Sequence, residues 1–310
     1  MEMNQITAGA PHRKGMLTTG KIMQYMILSL LPAGVYGIWN FGANAALVIL
    51  LTCGSAVLTE FLFEKFTGKP IGIKNYRTLL AGLLMAYSLP AGAPWYVAVT
   101  AGCLCALIMQ ISFHFFYRNV VSPVILARLI LMLAFSAEMS SYVFEGLTMA
   151  TPLTVLKGGG VVNTLSMIVG RTGGCIGETS VLFLCLGAIF LIFMGLMDFR
   201  VSGMYLFSFA AFMAVFGGEG LSSYYLTAQL AGGGFMLALW YVSQDYSTLP
   251  ITKGGRWIYG ILLGILTGVF RLFGNSAENL CFAILIANLC VPFIEKMTIR
   301  RPFGVEKGEL

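Results

Sequence analysis

Threonine hydroxyls recur at every third position in one mildly polar passage of this sequence, FEGLTMATPLTVLKGGG at residues 144–160. The three are Thr148, Thr151 and Thr154. A hydroxyl is a poor nucleophile without an adjacent base, and the passage contains no His or Cys. It therefore predicts no hydrolase site. It predicts either a turn-forming loop or an acceptor of a group attached through a phosphate ester. Thr151 suits the second role, because the small Ala150 precedes it and a KGGG run supplies flexibility.

The passage lies in a strongly apolar chain. Of its 310 residues, 58% are hydrophobic and 10% are charged, and the mean hydropathy is +0.84. Soluble domains carry about 25% charged residues, so the composition predicts an all-α polytopic membrane protein. Residues 1–21 are polar and basic, and the apolar run after them is long enough to span and stay, so no cleaved signal peptide is expected. The net charge of +6 is spread between apolar runs, which predicts no nucleic-acid partner.

Metal-ligating residues are poorly placed in this sequence. The seven cysteines form no CxxC motif and mostly lie inside apolar runs, as expected for small buried hydrophobes. The alternative is that Cys103 and Cys105 bind a metal together with ligands from a partner chain. The two histidines, His12 and His114, offer no bis-His haem site. The sequence therefore predicts no metal site and no catalytic residue within this chain alone.

Ten apolar segments are long enough to enter a membrane. The third, fifth and tenth are shorter than the roughly 20 residues of a full crossing, and each contains or borders a proline. The eighth is interrupted by the run Gly232–Gly234. The segments are 22–39, 42–64, 77–90, 94–116, 122–136, 179–197, 202–217, 226–244, 256–273 and 279–294.

The basic residues predict the orientation. With both termini in the cytoplasm, every lysine and arginine except Lys157, Arg171 and Arg271 falls on the cytoplasmic side. The threonine-rich loop, residues 137–178, then faces the extracytoplasmic side of a bacterial inner membrane.

The chain divides near residue 155 into two similar halves. AGLLMAYSLPAGAPWYVAVTAG at 81–102 resembles GGFMLALWYVSQDYSTLPITKGGRWIYGILLG at 233–264, and SPVILARLILMLAF resembles NLCFAILIANLCVP. Five spans per half make the halves run in opposite directions, and paired short or broken helices are typical of such inverted repeats. The predicted organisation is a cytoplasmic tail (1–21), a first five-helix half (22–136), the long loop (137–178), a second five-helix half (179–295) and a cytoplasmic tail (296–310).

The threonine passage resembles the flavinylation loop of one protein family. That family contains the D subunit of Rnf-type electron transport complexes and the B subunit of the sodium-translocating NADH:quinone reductase. Its motif, D-x-x-S-G-A-T, aligns with residues 145–151, where Glu145 stands in place of Asp, Thr148 in place of Ser and Met149 in place of Gly. Ala150 and Thr151 match the end of the motif, and Thr151 takes the position of the acceptor.

The resemblance covers most of residues 70–295. RTGGCIGETSVLFLCLGAIFLI at 171–192 resembles the family's G-x-I-G-E-T-S segment, YRNVVSPVILAR at 117–128 resembles its N-x-x-N-P-A segment, and 251–295 resembles its last two spans. It implies ten helices in inverted halves, FMN joined through its phosphate to Thr151, and in some members a non-covalent riboflavin. It also implies partner subunits with Fe–S and flavin carriers, a flavin transferase, and electron transfer coupled to Na⁺ or H⁺ movement.

Two arginines within apolar segments are further candidates for cofactor binding. Charged side chains inside a membrane are functional candidates by default. Arg128 either extends to the near surface or contacts a flavin or its phosphate. Arg271 either extends to the surface, contacts the FMN phosphate or pairs with Glu278. Asp245 is expected at a helix end or at an ion site, and Gly232–Gly234 at a close helix contact or beside a flavin ring.

Three functions remain open at this level. The first is a flavin-bearing membrane subunit of an ion-translocating ferredoxin:NAD oxidoreductase, not catalytic alone. The second is a flavin-free scaffold of the same family. The third is a small-solute channel or transporter, since urea-like permeases share the inverted-repeat layout.

Overall fold

The computed structural model describes residues 18–68, 75–116, 119–144, 147–148, 151–218, 222–274 and 279–299. The first half contains α1 (Thr19–Phe41), α2 (Ala43–Thr67), α3 (Arg77–Tyr87), α4 (Trp95–Phe116) and α5 (Pro123–Ala134). The connecting region contains α6 (Ser136–Met139), the hairpin strands β1 (Val143–Phe144) and β2 (Leu147–Thr148), α7 (Pro152–Lys157) and α8 (Thr164–Val169). The second half contains α9 (Val181–Phe193), α10 (Phe199–Phe216), α11 (Ser223–Ala231), α12 (Phe235–Trp240), α13 (Lys253–Phe273) and α14 (Asn279–Thr298).

Six of these helices are long and apolar enough to cross a membrane, namely α1, α2, α4, α10, α13 and α14. The helices α3, α5 and α9 are apolar but shorter. In a bilayer every backbone polar group must be satisfied within the protein, and helices achieve this locally. The predicted all-α polytopic architecture is confirmed.

The eighth, tenth and sixth segments can be compared with the lengths and breaks predicted from sequence. The eighth is broken as predicted, since α11 ends at Ala231 and α12 begins at Phe235. The tenth was expected to be short, which is wrong, because α14 runs through Pro292 for 20 residues to Thr298. Neighbouring groups in membrane proteins can satisfy the backbone freed by a proline. The sixth is shorter than predicted, since α9 has 13 residues and ends at Phe193.

The two halves pack their longest helices in the same way. Helix α2 lies along α4, and α10 lies along α13. Gly102 of α4 approaches so closely that an added Cβ would meet Ser55 Oγ, and Gly264 of α13 stands in the same relation to Ser208 Oγ. Small residues let membrane helices approach at such points. This matching contact supports the sequence repeat.

Helices are also exchanged across the boundary between the halves. Helix α1 packs on α9, and α5 packs on α14. One buried cluster therefore joins Leu30 to Leu184, and a second joins Ile125 to Ile284. Each cluster contains residues of both halves, so the two halves are packed together along both.

The segment before α9 docks on the end of α3. Ile176 N–H donates to the Leu89 carbonyl at 3.0 Å, and Gly177 N–H donates to the Tyr87 carbonyl at 3.0 Å. These bonds satisfy carbonyls that the end of a helix leaves open. Glu178 follows directly and is thereby carried into the interior of the bundle.

Candidate functional site

Thr151 precedes the first residue of α7 and lines a cavity. Thr154 Oγ1 donates to the Thr151 carbonyl at 2.7 Å and lies 3.3 Å from Thr151 Oγ1. Pro152 takes the first helical position, where its fixed φ and missing N–H are tolerated. The turn therefore holds the half-buried Thr151 at a defined place, and the Thr154 hydroxyl closes that turn.

The other residues of the predicted loop motif are less fully placed. Thr148 belongs to β2 and pairs with Val143 through the backbone. Glu145 and Ala150 lie outside the described residues, as does Met149. The structure accordingly places Thr151 from this motif against the cavity.

The cavity has a volume of about 470 Å³, which lies within the range of roughly 300–1,000 Å³ found for small-molecule sites. We call it the threonine cavity. It lies between the connecting region, α5 and the second half. Its lining comprises Arg128, Ser140, Tyr142, Thr151, Pro152, Leu153, Thr154, Lys157, Met167, Thr172, Gly173, Gly174, Glu178, Thr179, Ala231, Gly232, Gly233, Gly234, Arg271, Asn279 and Leu280.

Arg271 is a buried cation in the wall of this cavity. Its side chain is 3% exposed, which excludes the expected extension to the surface. Its Nη2 donates to the Gly232 carbonyl at 2.7 Å, and its Nη1 donates to the Gln229 carbonyl. Its guanidinium lies 5.2 Å from the Phe209 ring centroid. Among the described residues no carboxylate pairs with it, and Glu278 lies outside them, so within these residues the charge is met by carbonyls and aromatic faces.

Arg128 pairs with Glu178. Arg128 Nη1 lies 2.7 Å from Glu178 Oε1, and the side chains are 10% and 12% exposed. Extension of Arg128 to the near surface is therefore wrong as a prediction. A buried ion pair costs much desolvation and rarely stabilises a fold better than apolar residues would. This pair joins α5 of the first half to the segment that precedes α9, and it lines the threonine cavity.

The glycine run forms the wall between the two charged groups. Gly233 and Gly234 have φ of +63° and +67°, a conformation that disfavours a Cβ. A Cβ on Gly233 would lie 2.9 Å from Arg271 Nη2, and one on Gly234 would lie 2.6 Å from Glu178 Oε1. The run therefore breaks the eighth span and leaves room for both charges, and at Gly232 it also lies close to α8, where an added Cβ would be 3.2 Å from Met167 Cε.

Lys157, at the end of α7, is a further cation of the same cavity. Its Nζ donates to the Gly274 carbonyl at 2.7 Å. Burial, and next the nearby charge of Arg271, lower the pKa of Lys157 below its ordinary value. The two cations thus repel each other across a space with few counter-charges.

Two of these residues escaped the sequence analysis as site candidates. Glu178 entered the sequence analysis only within the G-E-T-S segment, and Lys157 only as part of a flexible run and as a residue left outside. The G-E-T-S motif was the available signal for Glu178. Its pairing with Arg128, 50 positions earlier, depends on the docking of the segment on α3, which no local pattern reports.

A second, smaller cavity of about 80 Å³ lies where α4 ends and α5 begins. We call it the asparagine cavity. Asn119 Nδ2 donates to Ser247 Oγ at 3.1 Å, whereas the buried Asn119 Oδ1 has no partner among the described residues. Asp245 accepts from Ser247 Oγ at 2.7 Å, which is a helix-end role. The lining of the asparagine cavity comprises Met23, Met26, Arg77, Leu80, Ala81, Leu84, Met109, Phe113, Asn119, Ser122, Pro123, Val124, Tyr241, Val242, Asp245, Tyr246 and Ser247.

Fold and site together define a multi-pass, all-α membrane protein with interrupted helices and a charged cavity beside a loop threonine. The chain belongs to the NQR2, RnfD, RnfE family, whose sequence model matches residues 6–304. A relative in Acetobacterium woodii, the D subunit of a Na(+)-translocating ferredoxin:NAD(+) oxidoreductase complex, is 32% identical over 315 residues, covering 99% of this chain and 97% of the relative. A relative in Clostridium ljungdahlii, the D subunit of a proton-translocating ferredoxin:NAD(+) oxidoreductase complex, is 30% identical over 318 residues, covering 97% and 96%.

Proposed function

We propose that this chain is a membrane subunit of an Rnf-type ion-translocating ferredoxin:NAD oxidoreductase complex, and that it carries FMN through a phosphate ester on Thr151. One observation carries the second part of the proposal. The Thr151 hydroxyl lines the same cavity as Arg271, a buried cation that has no carboxylate partner among the described residues.

The residues fit the attached group. A phosphate diester retains one negative charge, and Arg271 and Lys157 offer donors and positive charge in the same space. Charge-assisted hydrogen bonds of this kind are stronger than neutral ones. Thr151 has no His or Cys beside it as a base, so a flavin transferase must remove the hydroxyl proton and supply FMN as a phosphoanhydride. The anhydride P–O bond breaks as the threonine ester forms, and the second phosphate of the donor leaves with its own substituent. Bound FMN would then accept and donate electrons, while this chain holds it in place.

The asparagine cavity is the proposed place of a non-covalent riboflavin. Riboflavin has no phosphate and needs no matching cation. Three methionines and two leucines are among the residues that line this cavity, and Asn119 Oδ1 would accept a hydrogen bond from a ring N–H. At about 80 Å³ the cavity is smaller than typical ligand pockets, so its walls must separate to admit the ring.

The remaining parts of the proposal concern setting and partners. The basic residues favour an inner-membrane orientation with cytoplasmic termini and an extracytoplasmic Thr151. Electrons then need carriers on partner subunits to cross the bilayer. One relative is named for Na⁺ translocation and another for proton translocation, and either ion suits the proposal.

The test is flavin fluorescence in a denaturing gel. The full chain is co-expressed with its flavin transferase and partner subunits, as wild type, Thr151→Val and Thr154→Val. We expect a fluorescent band for wild type and Thr154→Val and a dark band for Thr151→Val. A dark wild-type band would reject covalent FMN and favour the scaffold. A dark chain that also conducts a small solute would favour the permease. Flavin released from Thr151→Val by denaturation would report riboflavin.

A further inference from the structure

The threonine cavity has two charged sides of different character. Arg271 lies beside Gly233. Glu178 lies beside Gly234 and forms an ion pair with Arg128. The first side presents a cation without a carboxylate among the described residues. The second presents a cation and a carboxylate 2.7 Å apart. A molecule that reaches across the glycine run therefore meets a positive side and a paired side.

The two ends of FMN differ in the same way as the two sides of the cavity. Its phosphate end is anionic. The pyrimidine edge of its ring is neutral when oxidised and alternates the acceptors C2=O and C4=O with the donor N3–H. A guanidinium donates only and an ionised carboxylate accepts only, so an adjacent arginine and glutamate complement that edge.

We propose that Arg128 and Glu178 bind the pyrimidine edge of the flavin, and so determine which way the ring points in the threonine cavity. This inference rests on the proposed function. With the phosphate on Thr151 near Arg271 and Lys157, the ring extends past the glycine run. Arg128 then donates to a ring carbonyl, and Glu178 accepts from N3–H.

The placement has an electrostatic consequence. Reduction of a flavin puts negative charge on the N1–C2=O region, and charges near the ring tune this step. Arg128 favours the reduced form and Glu178 disfavours it. In a buried site each acts with little screening. Loss of one member alone should therefore move the midpoint potential, and the two losses should move it in opposite directions.

The experiment is a spectroelectrochemical titration of the flavinylated full chain. We expect Arg128→Gln to disfavour two-electron reduction at least tenfold, a fall of about 30 mV, and Glu178→Gln to favour it by a similar factor. The Thr151→Val chain, titrated in parallel, supplies the background to subtract. Denaturing-gel fluorescence reports how much covalent flavin each variant holds.

A matched ion pair serves as the control. Arg256 Nη1 lies 2.6 Å from Asp198 Oδ2, and neither residue lines the threonine cavity. Arg256→Gln and Asp198→Asn make the same charge changes away from the proposed ring. We expect each variant to leave the equilibrium constant of two-electron reduction within twofold of its wild-type value.

Removing one partner of a buried pair can prevent folding, so Arg128→Lys provides a second measurement. Lysine keeps the charge but lacks the planar fork of donors. We expect the flavin carbonyl stretching bands to move to higher frequency in this variant, as a hydrogen bond to the ring weakens.

The outcomes separate the two proposals. A wild-type chain without covalent flavin removes the proposed function and this inference with it. The ring orientation alone is overturned if the wild type is fluorescent and the midpoint potential is unchanged in both Arg128→Gln and Glu178→Gln. It is overturned likewise if the flavin carbonyl bands are unchanged in Arg128→Lys.

Discussion

The threonine cavity and the asparagine cavity are built from matching elements of the two halves. The first lies where α13 ends and α14 begins, and the second lies where α4 ends and α5 begins. Their contents differ. The charged residues that line the threonine cavity are Arg128, Lys157, Arg271 and Glu178, whereas those that line the asparagine cavity are Arg77 and Asp245. A repeated backbone thus provides two similar spaces, and side chains give one of them an excess of positive charge.

The difference follows from how the corresponding helices are interrupted. Helix α3 is continuous, and its starting residue Arg77 stacks on Phe113 at 4.7 Å. The matching span of the second half is broken at residues 232–234, and Arg271 donates to the Gly232 carbonyl at the break. Broken membrane helices often provide ion and ligand sites, because their ends leave backbone groups open. Here an arginine satisfies carbonyls and retains its charge for the cavity.

Among the tests of this difference between the two cavities, removal of the Arg271 charge should have the largest effect on stability and on covalent flavin. Arg271→Gln should lower the free energy of unfolding by about 2–4 kcal/mol, because hydrogen bonds from a charged group are lost in a buried site. It should also reduce covalent flavin at least tenfold on a denaturing gel. Arg77→Gln is the comparison and should cost about 1 kcal/mol or less, as expected for one cation–π contact. Equal losses, measured by unfolding in detergent, would contradict the contrast.

The glycine wall can be tested at one position. Gly234→Ala adds a Cβ at φ +67° that would lie 2.6 Å from Glu178 Oε1. We expect a loss of about 3 kcal/mol, from the left-handed backbone and the clash together. Gly195 has the same φ of +67° with no atom within 4 Å of an added Cβ. Gly195→Ala should therefore cost only about 1 kcal/mol, and a cost equal to that of Gly234→Ala would show that the wall tolerates the methyl group.

The equivalence of the two halves is open to a paired measurement. Gly102→Ala would press on Ser55 and Thr52, and Gly264→Ala would press on Ser208 and Tyr205. Overpacking of this kind costs about 1–3 kcal/mol, and we expect the two values to agree within about 1 kcal/mol.

Gly54→Ala serves as the control for that pair. An added Cβ on Gly54 of α2 meets no atom within 4 Å. It should be neutral or stabilising by up to about 1 kcal/mol. A large loss at only one of Gly102 and Gly264 would mean that the α2–α4 and α10–α13 contacts are not equivalent.

The smallest predicted effect concerns the Asp198–Arg256 pair. Burial raises the pKa of Asp198, but the hydrogen bonds and charges of Arg256 and Arg200 together outweigh it and hold the pKa below its ordinary value. Because the folded pKa is depressed, the stabilisation is present above the ordinary value near 3.9 and is lost as the pH falls through the folded pKa. Partly exposed pairs contribute about 1 kcal/mol or less.

Unfolding at pH 7 and at the lowest pH that detergent solutions tolerate would measure this contribution. Asp198→Asn should flatten that part of the pH dependence. A variant with the slope of wild type would assign the acid sensitivity to other carboxyl groups.

Much of the fold could be predicted from the sequence. Apolar length located the six helices that are long enough to cross a membrane and the shorter apolar helices α3, α5 and α9, because a full crossing needs about 20 apolar residues. The run Gly232–Gly234 located the break in the eighth. Pro292 misled, because a proline inside a membrane helix need not end it when neighbouring groups satisfy the backbone. Local pattern reports what a segment prefers, and the surroundings decide whether that preference prevails.

The candidate site divides in the same way. The sequence by itself determined the class of protein and the family, and it singled out Thr151 as a candidate, since composition and local motifs carry that information. Only the tertiary structure decided that Arg271 is buried in the wall of the cavity beside Thr151, and that Arg128 pairs with Glu178. These are contacts between residues far apart in the chain. They follow from the docking of residues 175–178 on the end of α3 and from the helix break at residues 232–234, and no periodicity encodes them.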